Sequence, residues 1–295
     1  MKQDNRALLY GLGAVAGWST VATAFKLALE VLNPVQLVFW ATLTATTILF
    51  VTTTIKSGLS ALPKSFMHQP FLSLYAGLLN PVIYYLLLFA AYDALPAQVA
   101  MSINYSWAIV LTFMAAIFLK QAITPADYFA GLICYLGVIL IVTGGSLEAF
   151  GESHWVGVGL ALASTVIWAT YWTMAIKDDR EPLVGLTVNF LIALPVTALI
   201  CFWISDFGIS AKGLMAAGYV GLIEMALGFV MWSTALKLAS NASRVSNLIF
   251  LSPIISLLLI SGVLGEVIQV STVLGLALIL GGLMGQQWAH ARNNP

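Results

Sequence analysis

Charged residues are scarce in this sequence. They make up 8% of the 295 residues, whereas 60% are hydrophobic, and a soluble domain carries about 25% charged residues. Because so few charges cannot cover a globular surface, the composition predicts a chain surrounded by the lipid bilayer. The formal net charge is zero, so nothing points to a nucleic-acid partner.

The sequence also has few cysteines, and it lacks several sequence signatures of enzymes. Cys134 and Cys201 both lie in apolar segments, and they form neither a disulfide framework nor a metal-ligand spacing. The chain has no His-Glu-x-x-His, no Gly-x-Ser-x-Gly and no Gly-rich phosphate loop. No apolar segment pairs a nucleophile with a base. We therefore expect no enzyme activity and no cofactor, and we expect that any energy comes from a gradient.

Long apolar runs dominate what is present. A spanning helix needs roughly 20 apolar residues, and prolines such as Pro34, Pro125 and Pro182 stand at or next to predicted starts, where a missing N–H costs nothing. The first run continues to about Leu29, which favours a membrane helix over a cleaved signal peptide. Ten spans are predicted: 7–29, 34–55, 70–92, 97–119, 126–145, 156–176, 183–204, 212–236, 242–263 and 270–289.

The basic residues predict the orientation of these spans, because cytoplasmic loops carry an excess of Lys and Arg. If the N-terminus is cytoplasmic, only Lys26 and Lys212 fall on the outer side. The cytoplasmic side then receives Lys2, Arg6, Lys56, Lys64, Lys120, Lys177, Arg180, Lys237, Arg244 and Arg292. We therefore expect a multi-pass protein of the bacterial cell inner membrane with both termini in the cytoplasm.

The two halves of the sequence resemble each other at an offset of 144 residues. Tyr75-Ala-Gly77-Leu-Leu matches Tyr219-Val-Gly221-Leu-Ile, and the same offset relates Ala91 to Ala235, Gly131 to Gly275 and Gly137 to Gly281. Five helices per half is an odd number, so the second half must cross the membrane in the opposite direction. The sequence predicts an all-α membrane protein of two inverted five-helix repeats, 1–148 and 149–295, with a binding site near the midplane between them.

Polar residues in the middle of spans are candidates for that site. Glu224 lies at the centre of the eighth span, where a charge costs about 2.5–3.5 kcal/mol on insertion scales. At the repeat offset it corresponds to Asn80 in the third span, and Asn189 is a third polar residue, in the seventh. We interpret all three as substrate-binding candidates, with Glu224 a possible proton carrier. The alternative is that they hold helices together by hydrogen bonds.

Aromatic residues at similar depth suggest a lining for a cavity. Trp18, Trp107 and Trp168 lie near the centres of spans one, four and six, and Tyr84 and Tyr105 lie close to the same depth. Trp otherwise prefers the membrane interface, and its N–H needs a partner. If these rings face one cavity, they suit substrates with apolar or aromatic side chains. The alternative is packing between helices.

Prolines and glycines add candidate hinges and close helix contacts. Pro81, Pro195 and Pro253 lie inside spans, where they free a carbonyl and permit a kink. Gly13-x-x-x-Gly17 and Gly281-x-x-x-Gly285 allow close approach of helices. We expect this packing within a monomer, and the sequence leaves a dimer open.

The spans, the repeat and the short basic loops together resemble the drug/metabolite transporter superfamily, EamA type, over essentially the whole chain. The second repeat ends in a pattern similar to that family's Pro, Glu, Gly and Gly, formed by Pro253, Glu266, Gly275 and Gly281. In the first repeat, Ala108 and Gln121 replace the proline and the glutamate. Ser252, beside the motif proline, is a secondary binding candidate together with Trp18.

A shorter segment narrows the resemblance. Ile103-Asn-Tyr-Ser-Trp107 is similar to the Asn-Tyr-x-Trp-Pro segment of aromatic amino acid exporters in that superfamily. This resemblance implies export of aromatic and other neutral amino acids from the cytoplasm through a central cavity. It also implies that Tyr105 and Trp107 lie in the cavity wall, with Tyr84 and Trp168 at further aromatic positions.

We therefore hypothesise an alternating-access exporter whose aromatic rings hold the side chain of an amino acid, while Asn80 and Glu224 hold its polar head. Another metabolite or a drug is an alternative cargo. A sugar nucleotide is disfavoured because no Lys or Arg lies in mid-span. A channel is a second alternative, although the sequence has no charged ring of the sort that pores use.

Overall fold

The computed structural model describes residues 2–144, 152–239, 245 and 247–293. Over these residues, ten helices are long and apolar enough to cross a membrane. They are named α1 to α10 in order: Gln3–Leu29, Pro34–Ser57, Pro70–Ala94, Ala97–Leu119, Pro125–Thr143, His154–Ala175, Pro182–Ile204, Ala211–Leu238, Asn247–Leu264 and Val270–His290. The ten predicted spans are confirmed. The predicted boundary at 148/149 and the predicted start of span nine at 242 lie outside the described residues.

The ends of these helices follow from local sequence signals. Asn33 and Gln36 form a reciprocal capping box at the start of α2, with Pro34 at its first position. Thr124 and Asp127 do the same at the start of α5. A short helix, Ala61–His68, connects α2 to α3. Because consecutive spans alternate in direction, the start of α1 and the ends of α2, α4, α6, α8 and α10 share one face, called here the N-terminal face.

The packing of the helices has the pattern of an inverted repeat. Helix α2 packs against α7, and α5 packs against α10. Helix α1 contacts α8 and α9, and its counterpart α6 contacts α3 and α4. These contacts between the repeats therefore recur with the two repeats exchanged. This is the arrangement that a pseudo-twofold axis in the membrane plane produces.

Two contacts locate that axis. The Thr46 hydroxyl lies 3.5 Å from the carbonyl oxygen of Phe190, which is 144 residues further along the chain. The Cys134 sulfur lies 3.4 Å from the carbonyl oxygen of Ile279, at a separation of 145. Residues related by a twofold axis touch each other only where they lie on it. The axis therefore passes between α2 and α7 and between α5 and α10, and the structural offset between the repeats is 144 residues at the first of these contacts and 145 at the second.

The glycines of the matched Tyr-x-Gly segments have equivalent roles. A Cβ atom on Gly77 in α3 would lie 2.6 Å from the carbonyl oxygen of Asn189 in α7, and one on Gly221 in α8 would collide with the carbonyl oxygen of Ala41 in α2. Each third helix therefore lies against the backbone of the second helix of the other repeat. Gly13 and Gly17 face Met231 and Ile223 of α8, so this pair packs within the monomer, as expected.

The second glycine pair differs from that expectation. Gly281 and Gly285 are exposed, and a Cβ atom on either would meet no atom within 4 Å. The packing between α5 and α10 instead uses Gly137, Gly275 and Gly282, whose missing side chains allow backbone contact. Neighbouring residues of a helix face different directions, so the spacing of the glycines alone did not identify the buried face.

Irregular turns interrupt equivalent helices in the two repeats. Helix α3 has a π-helical segment, Leu78–Ile83, in which Asn80 has the non-helical angles φ −136° and ψ 114°, and α8 has another, Val220–Leu227. Helix α4 breaks between its segments Ala97–Asn104 and Trp107–Leu119. Helix α9 begins with a 3-10 turn, Asn247–Phe250, before the regular helix that contains Pro253. By contrast, α7 is helical from Pro182 to Ile204 and includes Pro195. A hinge role for the three prolines stays a prediction.

Candidate substrate cavity

A cavity of about 950 Å³ lies between helices of both repeats. Helices α1, α3, α4, α6, α8, α9 and α10 all contribute to its wall. The irregular turns of α4 and α8 both contribute to this wall. Asn104 and Tyr105 line it at the break in α4, and Glu224 lines it in the π-helical segment of α8. π-Helical turns are frequent at functional sites, so the backbone itself indicates that this region is specialised.

Among the residues that the structure describes, the exposed part of the cavity lining lies at one face. Its mouth is at the N-terminal face, where Gln121 and Gln287 line it and are exposed. Its other end is formed by Phe25, Tyr92 and Met101, which line it and are almost completely buried. The Phe25 and Tyr92 rings meet edge to face at 5.2 Å. The structure therefore shows the cavity open to the N-terminal face and closed towards the opposite face.

Polar contacts hold the closed end together. The Glu266 carboxylate, in the loop after α9, accepts hydrogen bonds from the backbone N–H groups of Ala97 and Gln98 at 2.7 and 3.2 Å. These N–H groups belong to the first turn of α4, where a helix has unpaired donors. The Gln98 amide also donates to the Val267 carbonyl at 2.9 Å. The second repeat is thus joined to the first across the closed end.

Aromatic rings form most of one wall. Trp168 stacks on Tyr84 at 4.3 Å and lies edge to face with Phe229 at 5.9 Å and with Trp107 at 6.4 Å. Trp18 lies 5.5 Å from Trp232 on the other side of Phe229. Trp172 extends the wall towards the mouth. All these residues line the cavity.

Glu224 is the one acidic residue among those that line the cavity in the described parts of the chain. It is 8% exposed, and its Oε1 accepts a hydrogen bond of 3.0 Å from the Tyr85 hydroxyl. Neither Lys nor Arg occurs among the described lining residues. Its π-helical turn therefore places an isolated carboxyl group beside the aromatic wall.

Asn104 is a second polar group in the wall, and sequence reasoning did not single it out. It ends the first segment of α4, accepts a hydrogen bond of 3.3 Å from the Tyr84 hydroxyl, and donates one of 3.1 Å to Ser164. Its place as a polar residue in the middle of span four, inside the Asn-Tyr-x-Trp segment, was the available signal. Trp172 and Phe229 were also missed, because nothing in their local sequence distinguishes them from packing residues.

Six sequence-predicted residues line the cavity, and three do not. The lining residues are Trp18, Tyr84, Tyr105, Trp107, Trp168 and Glu224. Asn80 is completely buried near the Tyr171 hydroxyl, and neither of its side-chain polar atoms makes a hydrogen bond of ordinary geometry. Ser252 is also buried outside the cavity and accepts a 3.3 Å hydrogen bond from Ser19.

Asn189 has a different environment from the one expected. Its Oδ1 accepts a 3.3 Å hydrogen bond from Arg180. That guanidinium is buried and forms a bidentate pair with Asp178 at 2.8 and 2.6 Å, and it donates to Ser73 at 2.6 Å. Arg180 therefore connects the loop after α6 to α3 and α7. Sequence reasoning had counted it only as a charge in a loop.

A polar cluster lies beside the mouth. Asp127 is buried at the start of α5, and its Oδ1 accepts hydrogen bonds of 2.7 Å from Gln286 and of 2.7 Å from His290. Gln286 also donates to Thr112 in α4 at 2.9 Å. The cluster fixes the end of α10 against α4 and α5. No group of three or more His, Cys, Asp or Glu residues that could hold a metal occurs in the described part of the chain.

The EamA-like transporter family matches residues 5–143 and 155–285. The chain belongs to this family. The two matched segments correspond to the two five-helix repeats, so each repeat is one EamA unit. The resemblance drawn from the ten spans and the repeat is confirmed at the level of this family.

Individual relatives are distant. An uncharacterized transporter of Archaeoglobus fulgidus is 24% identical over 91% of this chain and 94% of its own length. A probable terminal-alkyne amino-acid exporter of Streptantibioticus cattleyicolor is 28% identical over 58% of this chain and 57% of its own length. A solved crystal structure aligns with 98% of this chain and 99% of its own, with a TM-score of 0.67 and 20% identity. That alignment supports the fold, and the relatives support a membrane transporter.

Proposed function

We infer that this EamA-family transporter exports amino acids, aromatic and other neutral ones, together with related metabolites, from the cytoplasm by alternating access. The observation that carries the proposal is the aromatic cavity between the repeats, open to one face and closed at the other. A small solute enters such a cavity from one side and leaves after the closed end opens. The exporter relative of Streptantibioticus cattleyicolor supports the amino-acid class.

The dimensions and chemistry of the cavity suit such a cargo. Ligand pockets commonly enclose about 300–1,000 Å³, and this cavity has about 950 Å³. The rings of Trp168, Tyr84 and Trp107 offer flat apolar surfaces to a side chain. Asn104 and Glu224 offer a hydrogen-bonding amide and a carboxyl group to a polar head.

The charged loops support the export direction. Lys56, Lys64, Lys120 and Lys177 lie towards the N-terminal face, whereas Lys26 and Lys212 lie towards the other. The positive-inside rule then assigns the N-terminal face to the cytoplasm. The open mouth faces the cytoplasm in this assignment, so a cytoplasmic solute can load directly.

The inverted repeat supplies the second state. Exchanging the conformations of the two repeats about the pseudo-twofold axis would open the closed end and close the mouth, as in other inverted-repeat transporters. The contacts of Glu266 with Ala97 and Gln98 join the two repeats. They must therefore break for the closed end to open.

Uptake into proteoliposomes tests the proposal. We expect saturable uptake of a labelled aromatic amino acid, competed by large neutral amino acids, without an imposed ion gradient. Trp168→Ala should reduce uptake of phenylalanine at least five times more than uptake of alanine, because the lost ring contacts only a large side chain. Trp203→Ala is the matched control, since Trp203 is 73% exposed and lies outside the cavity.

Two results would contradict the proposal. Absence of saturable uptake for every amino acid, even with a proton gradient, would exclude amino acids as the cargo. Flux above roughly 10⁵ molecules per second would indicate a channel, in which binding must be weak enough for rapid exit.

A further inference from the structure

Among the described lining residues, the interior of the cavity carries acidic charge and no Lys or Arg. Glu224 lies in its wall, and no Lys or Arg occurs among the described lining residues. His290 lines the mouth, where its Nε2 is 2.7 Å from Asp127. Within the described part of the chain, a ligand that reaches the aromatic wall therefore meets a carboxyl group and neither Lys nor Arg.

The Glu224 carboxyl group is also incompletely paired. Tyr85 donates to Oε1, and Oε2 accepts no hydrogen bond from the described residues. Taking an ionised carboxylate out of water is costly unless it is paired. A cationic ligand group that reaches Oε2 would provide the missing pair, and so would a proton.

The rings around this position strengthen the preference for a cation. Ammonium groups are attracted to the faces of Trp, Tyr and Phe within about 6 Å of the ring. Trp18 approaches α8 one turn beyond Glu224, at Gly228, and Phe229 lies between Trp18 and Trp168. An ammonium group beside Glu224 would thus lie among aromatic rings, and the apolar body attached to it could rest on Trp168 and Tyr84.

We propose that Glu224 is the recognition site for the ammonium group of the ligand, and that the cavity takes aromatic and other apolar amines whether or not they carry a carboxylate. The proposal rests on the proposed function, in which this cavity is the transport site. The carboxylate of an amino acid finds no Lys or Arg near the aromatic wall among the described residues, so we expect it to remain towards the hydrated mouth. An amine without a carboxylate avoids this constraint.

Three ligands that each contain one phenyl ring separate the contribution of the ammonium group to binding from that of the carboxylate. Isothermal titration calorimetry on the purified full-length protein would compare phenethylamine, phenylalanine and 3-phenylpropionate. We expect phenethylamine to bind at least as tightly as phenylalanine, and 3-phenylpropionate at least tenfold more weakly. This series uses only the wild-type protein, so it does not depend on whether a variant folds.

Variants then assign the effect to Glu224. Glu224→Gln should weaken phenethylamine binding at least tenfold, and Glu224→Asp should weaken it less. Glu30→Gln is the matched control, because Glu30 is an exposed carboxylate paired with Lys212 at the surface, and it should leave the affinity unchanged. Tightest binding by 3-phenylpropionate, undetectable binding of phenethylamine, or wild-type affinity in Glu224→Gln would each overturn the inference.

The two proposals can fail separately. If phenethylamine binds and is transported while no amino acid is carried, the ammonium site stands and the proposed amino-acid cargo is wrong. If phenylalanine is transported and phenethylamine neither binds nor competes, the proposed function stands and the ammonium site is wrong.

Discussion

Removing the Glu266 carboxylate should open the closed end of the cavity. In the structure, this carboxylate pairs with two N–H groups in the first turn of α4 and with the side-chain amide of Gln98. Glu266→Ala deletes all three contacts and leaves the N–H groups of Ala97 and Gln98 without their carboxylate acceptor, while the contact of Gln98 with Val267 remains. The state that is closed here loses that stabilisation, whereas the opposite state, in which these groups are apart, is unaffected.

The size of the effect can be worked from these contacts. Hydrogen bonds to a charged group contribute about 1.5–3 kcal/mol each when well buried, but Glu266 is partly exposed, and loss of a helix N-cap costs about 0.5–2 kcal/mol. We therefore expect a net shift of about 1–2 kcal/mol, which is about a 5- to 30-fold change in the ratio of the two states. Glu266→Gln keeps one acceptor oxygen and should shift the ratio less.

Pulsed electron paramagnetic resonance can measure this ratio. Spin labels on Asp93→Cys and Val270→Cys would lie on opposite sides of the closed end, on exposed positions at the end of α3 and the start of α10. Both native cysteines are buried, and a sample without introduced cysteines measures their background. Glu266→Ala should transfer population to a longer distance.

The control must remove a charge on the same face without touching α4. Glu30→Ala does this, since Glu30 pairs with Lys212 at 3.4 Å on an exposed surface, where ion pairs contribute about 0–1 kcal/mol. If Glu266→Ala leaves the distance distribution unchanged, or shifts it no more than Glu30→Ala does, these contacts do not hold the end closed and the reasoning is refuted.

Two further predictions concern stability. Gly77→Ala and Gly221→Ala place a methyl group against a backbone carbonyl of the neighbouring helix, so each should destabilise the protein by about 1–3 kcal/mol. Gly159→Ala should not destabilise it, because a Cβ atom added there meets no atom within 4 Å. Equal thermal unfolding temperatures in detergent for all three variants would contradict this packing. Arg180→Met leaves Asp178 without its buried partner and should cost about 3–5 kcal/mol. Arg180→Lys should rescue it poorly because an ammonium cannot reproduce the bidentate pair, and full thermal stability of either variant would show that the pair is not structural.

The features that could be predicted from the sequence are those that depend only on the position of residues along the chain. Spans follow from runs of apolar residues, and the repeat follows from a constant offset, so both are found without knowing which side of a helix is buried. Glu224 was identified for the same reason, because the free-energy cost of a charged side chain depends on its depth in the membrane. Depth did not distinguish Asn104, which lines the cavity, from Asn189, which holds Arg180.

The missed residues depend on the rotation of helices and on breaks within them. Trp168 and Trp172 lie one turn apart on α6, and both face the cavity. Only Trp168 was predicted, because it lies nearer the centre of its span. Asn80 was expected at the binding site by symmetry with Glu224. Asn80 is instead buried outside the cavity, whereas Glu224 lines it, so equivalence in sequence register did not give equivalence in position relative to the cavity.

The repeats thus share a backbone plan and differ in chemistry, and that difference predicts which state is favoured. Glu266 closes one end of the cavity, and its counterpart at an offset of 145 is Gln121, which lies exposed at the open mouth. In the proposed exchange of conformations, Gln121 would have at the mouth the role that Glu266 has at the closed end. A neutral amide binds helix N–H groups more weakly than a carboxylate does, because the carboxylate also interacts with the helix dipole. We therefore expect the closure at the mouth to be the weaker one and the state with an open mouth to be favoured. Gln121→Glu should strengthen that closure and increase the population with the longer distance between the labels at positions 93 and 270. Glu266→Ala should have the same effect because it weakens the other closure. If Gln121→Glu instead leaves the distance distribution unchanged, the two residues are not equivalent in the transport cycle, however well their positions match in the sequence.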